Sequence, residues 1–319
     1  MGIMRSGLNS KCLWVKGTDG MGNRLLSLEY ACRYAAEHQY GIHVDWRDEI
    51  AMMDQEAFLE IFSIHGVPIL GSPDPAGFVS PYPSDLRIFT EPDIGHLVTP
   101  TPLVRRFPQR YAFWRKSGKY HEAYRYRGSM KTAMRNGQYL SGLAGKHDLL
   151  CFRCSLPWRE PEHFRHVSLK TGVVDGVLRD HPSLREANDV SLHIRNTDKS
   201  SPEIRRAIRA VRHLLQDDPS VRTMHLATDN LMAADEVVNS LGDSLEIQML
   251  EITRDSDPIH LRVQTAADKA RMLRMAMVDI HLLSSARYLL FQSNSSFSRV
   301  AVALQSPQAK CSDWTSFAG

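Results

Sequence analysis

The sequence has little of several features that would narrow its class at once. It has five cysteines, an odd number, at positions 12, 32, 151, 154 and 311. A disulfide framework needs paired cysteines at regular spacings, so this scatter favours a reducing compartment and a cytoplasmic protein. No apolar run approaches the roughly 20 residues that cross a bilayer, and residues 1–10 contain no signal-peptide core.

Neither the charge nor the composition points to a specialised class of protein. The chain of 319 residues carries a net charge of only +3, which gives no reason to expect a nucleic-acid partner. Hydrophobic residues make up 43% and charged residues 24%, the balance of a globular protein with a buried core. At about 100–200 residues per domain, the length suits two domains.

The C-terminal half alternates predicted strands with predicted helices. Short apolar runs at 190–194, 223–227, 245–250 and 287–291 are each followed by a segment with helical periodicity. Repeated βα units predict a doubly wound parallel sheet.

The N-terminus gives a second, shorter βα signal. A predicted strand at Cys12–Lys16 leads into a glycine-rich turn at Gly17–Arg24, then a helix and a strand at Ile42–Trp46. We therefore predict two α/β domains, residues 1–187 and 188–319, that face each other across a ligand-binding cleft.

Polar side chains follow the predicted strands of the C-terminal half. They lie at 193–195, 228–230, 253–255 and 292–296. In an open α/β sheet, ligands bind beyond the carboxyl ends of the strands, and an arginine such as Arg195 can donate two hydrogen bonds to a phosphate there. Four such clusters together favour a site for a phosphorylated ligand, most simply a nucleotide, over a structural ion pair.

Two motifs stand at the ends of predicted strands: His193–Lys199 reads His-Ile-Arg-Asn-Thr-Asp-Lys, and Leu226–Asn230 reads Leu-Ala-Thr-Asp-Asn. They resemble the segments His-Val-Arg-Arg-Thr-Asp-Lys and Leu-Ala-Thr-Asp-Asp of the α1,6-fucosyltransferases. Further matching segments are Gly20–Gly22, Asp279–Ser284, and Ser295 with Arg299–Ala301. Rhizobial nodulation-factor and protein O-fucosyltransferases are more distant relatives. The resemblance covers residues 188–304 and, more weakly, 12–46, and it implies an α/β, GT-B-like fold with two Rossmann-like domains.

The resemblance implies GDP-fucose as the donor and no metal cofactor. It assigns Arg195 and Ser295 to the diphosphate, and His193 and Asp279 to the guanine base. A carboxylate can accept hydrogen bonds from both guanine N–H groups; the alternative for Asp279 is a buried structural anion, which would need partners. The other donor-binding candidates are Gly20, Gly22 and Asn23 in the glycine-rich turn, together with Asp229 and Ser296.

The resemblance also implies an inverting reaction in which a carboxylate acts as general base. Glu203 matches that carboxylate, Lys199 and Asp198 match the residues of its relay, and Arg195 takes up charge on the leaving diphosphate. The segment Ser200–Glu203 also fits a helix capping box, in which Glu203 would bond back to the N-cap.

Two positions depart from the family pattern. Asn196 stands where the family has a second arginine, and Asn230 where it has an aspartate. Both leave open a non-catalytic nucleotide- or glycan-binding module. A metal-dependent glycosyltransferase with another donor, in which Asp255 and Asp257 hold Mn²⁺ or Mg²⁺, is a second alternative.

A basic, aromatic stretch suggests contact with the acceptor. Residues 105–135 hold ten Lys or Arg and one acid, Glu122, with aromatic residues between them. Cations beside aromatic rings suit sugars or an anionic lipid surface; a solvated basic face is the alternative. We expect a glycan or lipid-linked oligosaccharide acceptor, α1,6 linkage to GlcNAc, and peripheral contact with a membrane.

Overall fold

The computed structural model of the chain divides into two compact units, Met1–Ser168 and Leu169–Gly319. It describes residues 11–17, 20–47, 51, 53–71, 88–91, 94–97, 149–153, 162–195, 204–250 and 266–317. The division lies before the expected boundary at residue 187. The reason is that the helix at Thr171–Asp180 packs its apolar side chains against Val278 and Leu282 of the second unit. Among the described helices, none combines the length and apolar character that a membrane span requires.

The first unit contains a three-stranded parallel sheet, in which β1 (Cys12–Lys16) lies between β2 (Gly41–Asp45) and β6 (Leu149–Arg153). Helix α1 (Met21–His38) joins β1 (Cys12–Lys16) to β2 (Gly41–Asp45), which confirms the predicted βαβ start of the chain. The other described elements before residue 170 are α2 (Gln55–Ile61), β3 (Phe62–Ile64), β4 (Ile88–Glu91), β5 (Ile94–Leu97), β6 (Leu149–Arg153) and β7 (Val167–Leu169).

Helix α1 holds a distant segment through a buried carboxylate. Glu29 is fully buried, and its two oxygens accept hydrogen bonds from the backbone N–H groups of Arg165, His166 and Val167 at 2.9–3.0 Å. Burying a charge is costly unless it is hydrogen-bonded, and these three donors supply the compensation. Burial, followed by the charge of Glu29, raises the pKa of the neighbouring Cys32 thiol well above its ordinary value.

The second unit is built on a five-stranded, all-parallel sheet. The order of its strands is β10 (Glu246–Gln248), β9 (Thr223–Thr228), β8 (Val190–Ile194), β11 (Tyr288–Phe291) and β12 (Lys310–Asp313). The predicted alternation of strands and helices is confirmed. The elements are α3 (Thr171–Asp180), β8 (Val190–Ile194), α4 (Ile204–Asp217), β9 (Thr223–Thr228), α5 (Leu231–Leu241), β10 (Glu246–Gln248), α6 (Ala266–Ser285), β11 (Tyr288–Phe291), α7 (Ser296–Leu304), β12 (Lys310–Asp313) and a 3₁₀ turn (Trp314–Ser316).

The two faces of this sheet differ in chemistry. Successive side chains of a strand point to opposite faces, and Val190, Leu192 and Ile194 of β8 enter an apolar core with residues of α4 and α5. The other face carries Ser191 and His193, and the register sets His225 of β9 directly opposite Ser191. Polar groups are therefore buried on only one face of β8, beneath α6 and α7.

Candidate functional site

The connectivity of the second sheet marks one position along its carboxyl edge. From β8 the chain proceeds to β9 and β10 on one side, and then returns to place β11 and β12 on the other. In doubly wound sheets, ligands bind outside the carboxyl ends of the strands where the order reverses. In this unit that point lies between the ends of β8 and β11, which are followed by Arg195 and Gln292.

His193 ties three elements together at this point. Its ring is 6% exposed and stacks on Phe297, with 5.1 Å between ring centroids. Its Nδ1 lies 2.6 Å from the Ser298 Oγ of α7, and its backbone carbonyl accepts a hydrogen bond from Trp314 Nε1 at 2.9 Å. The end of β8 is therefore held rigidly against α7 and the 3₁₀ turn.

Gln292 links the ends of β8 and β11. Its side-chain oxygen accepts a hydrogen bond from the backbone N–H of Arg195 at 2.9 Å, while its own N–H donates to Ser298 Oγ at 3.1 Å. Arg195 is half-buried and directly follows the last residue of β8. The backbone that carries the predicted phosphate ligand is thus fixed at the reversal point of the sheet.

The N-terminus of α7 presents a buried hydroxyl at the same edge. Ser295 is the N-cap residue, yet its side chain makes no capping hydrogen bond, and its buried Oγ has no partner among the described residues. Ser296 begins the helix and is half-buried. Helix N-termini favour anions, so a phosphate there would meet the hydroxyl as well as the helix dipole.

The loop before α7 is anchored by an aspartate that the sequence analysis did not identify. Asp313, at the end of β12, accepts hydrogen bonds from Thr315 Oγ1 at 2.7 Å and from the Ser293 N–H at 3.4 Å. Burial raises the pKa of Asp313, but the hydrogen bonds from Ser293 and Thr315 lower it more, so its net pKa lies below the ordinary value. Asp313 therefore stays ionised and holds the loop.

Asp279 of α6 has both a partner and an open oxygen. His225 Nε2 lies 2.9 Å from Oδ1, and the Asp279 side chain is 20% exposed. No described residue donates to Oδ2. The alternative of a structural anion requires a partner, and His225 supplies one, but only for one of the two oxygens.

The position of Asp279 along the sheet follows from a neighbouring hydrogen bond. Ser191 Oγ donates to the carbonyl of Leu283 on α6 at 2.8 Å. Helix α6 runs opposite to the strands, so Asp279, four residues earlier, lies about 6 Å nearer the carboxyl edge. His193 is two residues beyond Ser191, about 6.6 Å in the same direction. Asp279 and His193 therefore both lie toward the carboxyl edge from Ser191 and Leu283.

The end of β9 carries the last of the predicted donor residues in this unit. Asp229 directly follows the strand and is half-buried. Asn230, a departure from the fucosyltransferase pattern, is the N-cap of α5: its side-chain oxygen accepts a hydrogen bond from the Ala233 N–H at 3.0 Å. This departure therefore serves the local helix, as asparagine commonly does at an N-cap.

The glycine-rich turn lies in the first unit and contains two glycines of different kinds. Gly20 is the N-cap of α1 with φ −69°, and a Cβ added there would meet nothing within 4 Å. At Gly17, which was not among the predicted site residues, an added Cβ would collide with the guanidinium of Arg24 and lie 2.8 Å from Trp46 Cδ1, and both of these side chains are buried. Gly22 and Asn23 lie in the first turn of α1, buried and half-buried respectively. Packing requires glycine at position 17, whereas at position 20 only an approaching ligand would.

Several predicted residues lie outside the described part of the chain. Three of them, Asp198, Lys199 and Glu203, belong to the proposed catalytic set, and Asp255 and Asp257 form the alternative metal site. The others are Asn196, which departs from the family pattern, and the basic stretch at 105–135. Within the described ranges, no group of three or more His, Cys, Asp or Glu side chains is arranged to hold a metal ion.

The opposite edge of the second sheet carries a network that stabilises the fold. Asp218 accepts hydrogen bonds from Ser220 and from the Tyr288 hydroxyl at 2.7 Å, and pairs with Arg287 at 3.2 Å. The hydrogen bonds from Ser220 and Tyr288 lower the pKa of Asp218 to about 2. The hydrogen bond to Asp218 raises the pKa of Tyr288. This network is far from the reversal point at the carboxyl edge.

Comparison with known proteins relies on structure, because no protein-family model matches the sequence and no curated protein matches it either. The fucosyltransferase NodZ from Bradyrhizobium is 19% identical, with a TM-score of 0.58 over 93% of this chain and 92% of that chain. The chain shares its fold with fucosyltransferases. A crystal of NodZ α1,6-fucosyltransferase soaked with GDP-fucose matches at 17% identity and a TM-score of 0.55, over 92% and 93% of the two chains.

A second fucosyltransferase gives the same result. POFUT1 in complex with GDP-fucose is 10% identical, with a TM-score of 0.52 over 94% of this chain and 97% of that chain. The similarity spans more than nine tenths of the chain in each comparison. It confirms the predicted α/β, GT-B-like fold class and the resemblance on which it was based.

Sequence reasoning missed the residues that support the site from behind. His225, Ser298 and Trp314 each bond to a predicted site residue from another element. For the strands, a signal was present: Ser191 and His193 alternate with apolar residues in β8, and His225 interrupts the apolar run of β9. Period-two polar positions inside a central strand indicate one polar buried face.

Proposed function

We propose that the protein is a glycosyltransferase that moves fucose from GDP-fucose to a glycan hydroxyl. The observation that carries the proposal is the carboxyl edge of the second sheet at the end of β8, where Gln292 and Ser298 fix Arg195 and His193 and where Ser295 Oγ is buried without a partner among the described residues. A buried hydroxyl without a hydrogen-bond partner is unusual in a folded protein and needs an explanation. The shared fold with fucosyltransferases supports a sugar-nucleotide phosphate as the group that would pair with it.

The diphosphate part of the donor is assigned to Arg195, Ser295 and the N-terminus of α7. Transfer breaks the bond between the anomeric carbon and a β-phosphate oxygen, so negative charge grows on the leaving GDP. Hydrogen-bond donors placed beforehand stabilise such charge without reorganising at the moment of reaction. The guanidinium of Arg195, the Ser295 hydroxyl and the first backbone N–H groups of α7 are donors of this kind.

The guanine base of the donor is assigned to Asp279, together with His193. Guanine presents two neighbouring donors, its N1–H and its exocyclic amine, and an ionised carboxylate only accepts. Adenine offers an acceptor at its N1, which the carboxylate of Asp279 would repel. This polarity selects a guanine nucleotide.

The chemical step is assigned to Glu203. Its carboxylate takes the proton from the acceptor hydroxyl, the hydroxyl oxygen attacks the anomeric carbon from the face opposite GDP, and GDP departs with inversion. Lys199 and Asp198 form the relay beside it, and no metal takes part. The acceptor is a glycan or lipid-linked sugar in the cytoplasm, joined α1,6 to GlcNAc, and residues 105–135 contact it or the membrane surface.

A calorimetric donor screen tests this function. GDP-fucose and GDP should bind, while ADP and UDP-GlcNAc should not. Asp279→Asn should weaken the binding of GDP by about 1–3 kcal/mol. Transfer activity should survive EDTA. Equal affinities for GDP and ADP would rule out the guanine assignment, whereas activity lost in EDTA and restored by Mn²⁺ would favour a metal site at Asp255 and Asp257.

A further inference from the structure

His225 is a buried histidine in the middle of the second sheet whose surroundings leave it one partner. The register sets it between Ser191 of β8 and Gln248 of β10. Neither neighbour bonds to it: Ser191 Oγ donates to the Leu283 carbonyl, and Gln248 Oε1 accepts from the backbone N–H of Arg185, while the Gln248 amide nitrogen has no partner among the described residues. The His225 side chain is fully buried, and Asp279 is its hydrogen-bond partner among the described residues.

The surroundings of its two ring nitrogens fix the protonation of His225. A carboxylate oxygen 2.9 Å from Nε2 requires a proton on that nitrogen, because a carboxylate only accepts. The other nitrogen, Nδ1, is buried without a partner in the described structure. A proton there would create a buried, unsatisfied N–H on a charged ring, which is unfavourable. The hydrogen bond to Asp279 is therefore donated by Nε2–H of His225.

We propose that His225 is a positioning residue that sets the selectivity of the base site by fixing the carboxylate of Asp279. This inference rests on the proposed function, in which that carboxylate reads guanine. The hydrogen bond from Nε2 holds one oxygen of Asp279 toward the sheet. It thereby fixes the plane of the carboxylate and the direction of Oδ2, so that both donors of guanine can be met at once.

Loss of this hydrogen bond should change the affinity for GDP and the affinity for inosine diphosphate by different amounts. Inosine diphosphate keeps the N1–H of guanine but lacks the exocyclic amine. A fixed carboxylate gains a second hydrogen bond from the amine and so distinguishes GDP from inosine diphosphate. A carboxylate free to rotate can still bind N1–H, but it meets the second donor only part of the time, because its rotamer must be ordered on binding.

Two substitutions at one position test this inference. His225→Phe keeps the ring volume and removes the donor, whereas the amide nitrogen of His225→Gln reaches the place of Nε2. Calorimetry with GDP, inosine diphosphate and ADP gives the affinities, and the melting temperature of the free protein reports on folding. We expect His225→Phe to weaken the binding of GDP about tenfold and to keep the affinity for inosine diphosphate within about threefold of the wild-type value. The ratio of the two affinities should therefore move toward one. His225→Gln should restore most of the ratio.

Ser191→Ala is the matched control. It removes the neighbouring hydrogen bond between the sheet and α6 without touching Asp279, so it lowers the melting temperature while the ratio of GDP to inosine diphosphate stays as in the wild type. If His225→Phe does not fold, His225→Asn, whose amide is one carbon too short to reach Asp279, takes its place.

The outcomes distinguish this inference from the proposed function. Wild-type protein that binds ADP as tightly as GDP overturns both. Wild-type protein that prefers GDP, together with a His225→Phe or His225→Asn variant that keeps the wild-type ratio, overturns the role of His225 alone. A Ser191→Ala variant that loses the ratio to the same extent also overturns it, because selectivity would then depend only on the seating of α6.

Discussion

Replacing Ser295 by alanine should have opposite effects on the free protein and on its complex with GDP. In the free protein the Ser295 hydroxyl is buried without a hydrogen-bond partner among the described residues, and it does not cap α7. A buried, unsatisfied polar group costs about 1–3 kcal/mol. Ser295→Ala removes that group and leaves a methyl in its place, so the free energy of unfolding should rise by about 1 kcal/mol.

The complex should lose what the free protein gains. In the proposed complex with GDP the hydroxyl would donate to a phosphate oxygen, and a hydrogen bond to a charged group contributes about 1.5–3 kcal/mol. Its loss should weaken GDP binding by about tenfold to a hundredfold.

Denaturant unfolding of the free protein and calorimetry with GDP measure the two effects. Ser298→Ala is the control on the same helix: it strips partners from the buried groups His193 Nδ1 and Gln292 N–H, so it should lower stability. If Ser295→Ala unfolds more easily than the wild type, or binds GDP with unchanged affinity, the reasoning is refuted.

Three further predictions concern other parts of the chain. Glu203→Gln should slow transfer about 10²–10⁴-fold with little change in GDP affinity; near-normal turnover with a lower melting temperature would instead make Glu203 a helix cap. Gly20→Ala should leave the melting temperature nearly unchanged while GDP binds more weakly, whereas Gly17→Ala, whose Cβ would lie 2.8 Å from the buried Trp46 ring, should melt earlier. Because the pKa of Asp218 is lowered from 3.8 to about 2, its stabilising effect is present above pH 3.8 and is lost as the pH falls through about 2. Asp218→Asn should therefore destabilise the protein at pH 7 but not at pH 2, and a constant difference measured by denaturant unfolding would contradict this.

The regular part of the fold could be predicted because its signals are local. Strands such as β8 and helices such as α5 are short apolar runs and periodic segments bounded by polar residues, and these patterns survive in any context. The second compact unit begins at Leu169 because α3 packs on α6, and the ordinary amphipathic pattern of α3 does not show to which unit it belongs.

The candidate residues at strand and helix ends could be predicted from the sequence, but the residues that hydrogen-bond to them from other elements could not. His193, Arg195 and Ser295 stand at strand or helix ends, where position alone indicates a ligand. The bond from His225 to Asp279 joins residues 54 apart in the chain, and that from Trp314 to His193 joins residues 121 apart. Such pairs depend on how elements approach in space, which spacing in one sequence does not encode. The roles of Asp198, Lys199 and Glu203 stay predictions.

The order of strands in the second sheet also fixes when the candidate site can form. Arg195 and Gln292 are 97 residues apart, and His193 and Ser298 are 105 apart. During synthesis β8 can pair with β9 as soon as both have emerged, but closing such long loops is entropically costly and awaits the far partner. A chain that ends before β11 would carry Arg195 and Glu203 yet lack Ser295 and the contacts of His193 with Phe297, Ser298 and Trp314.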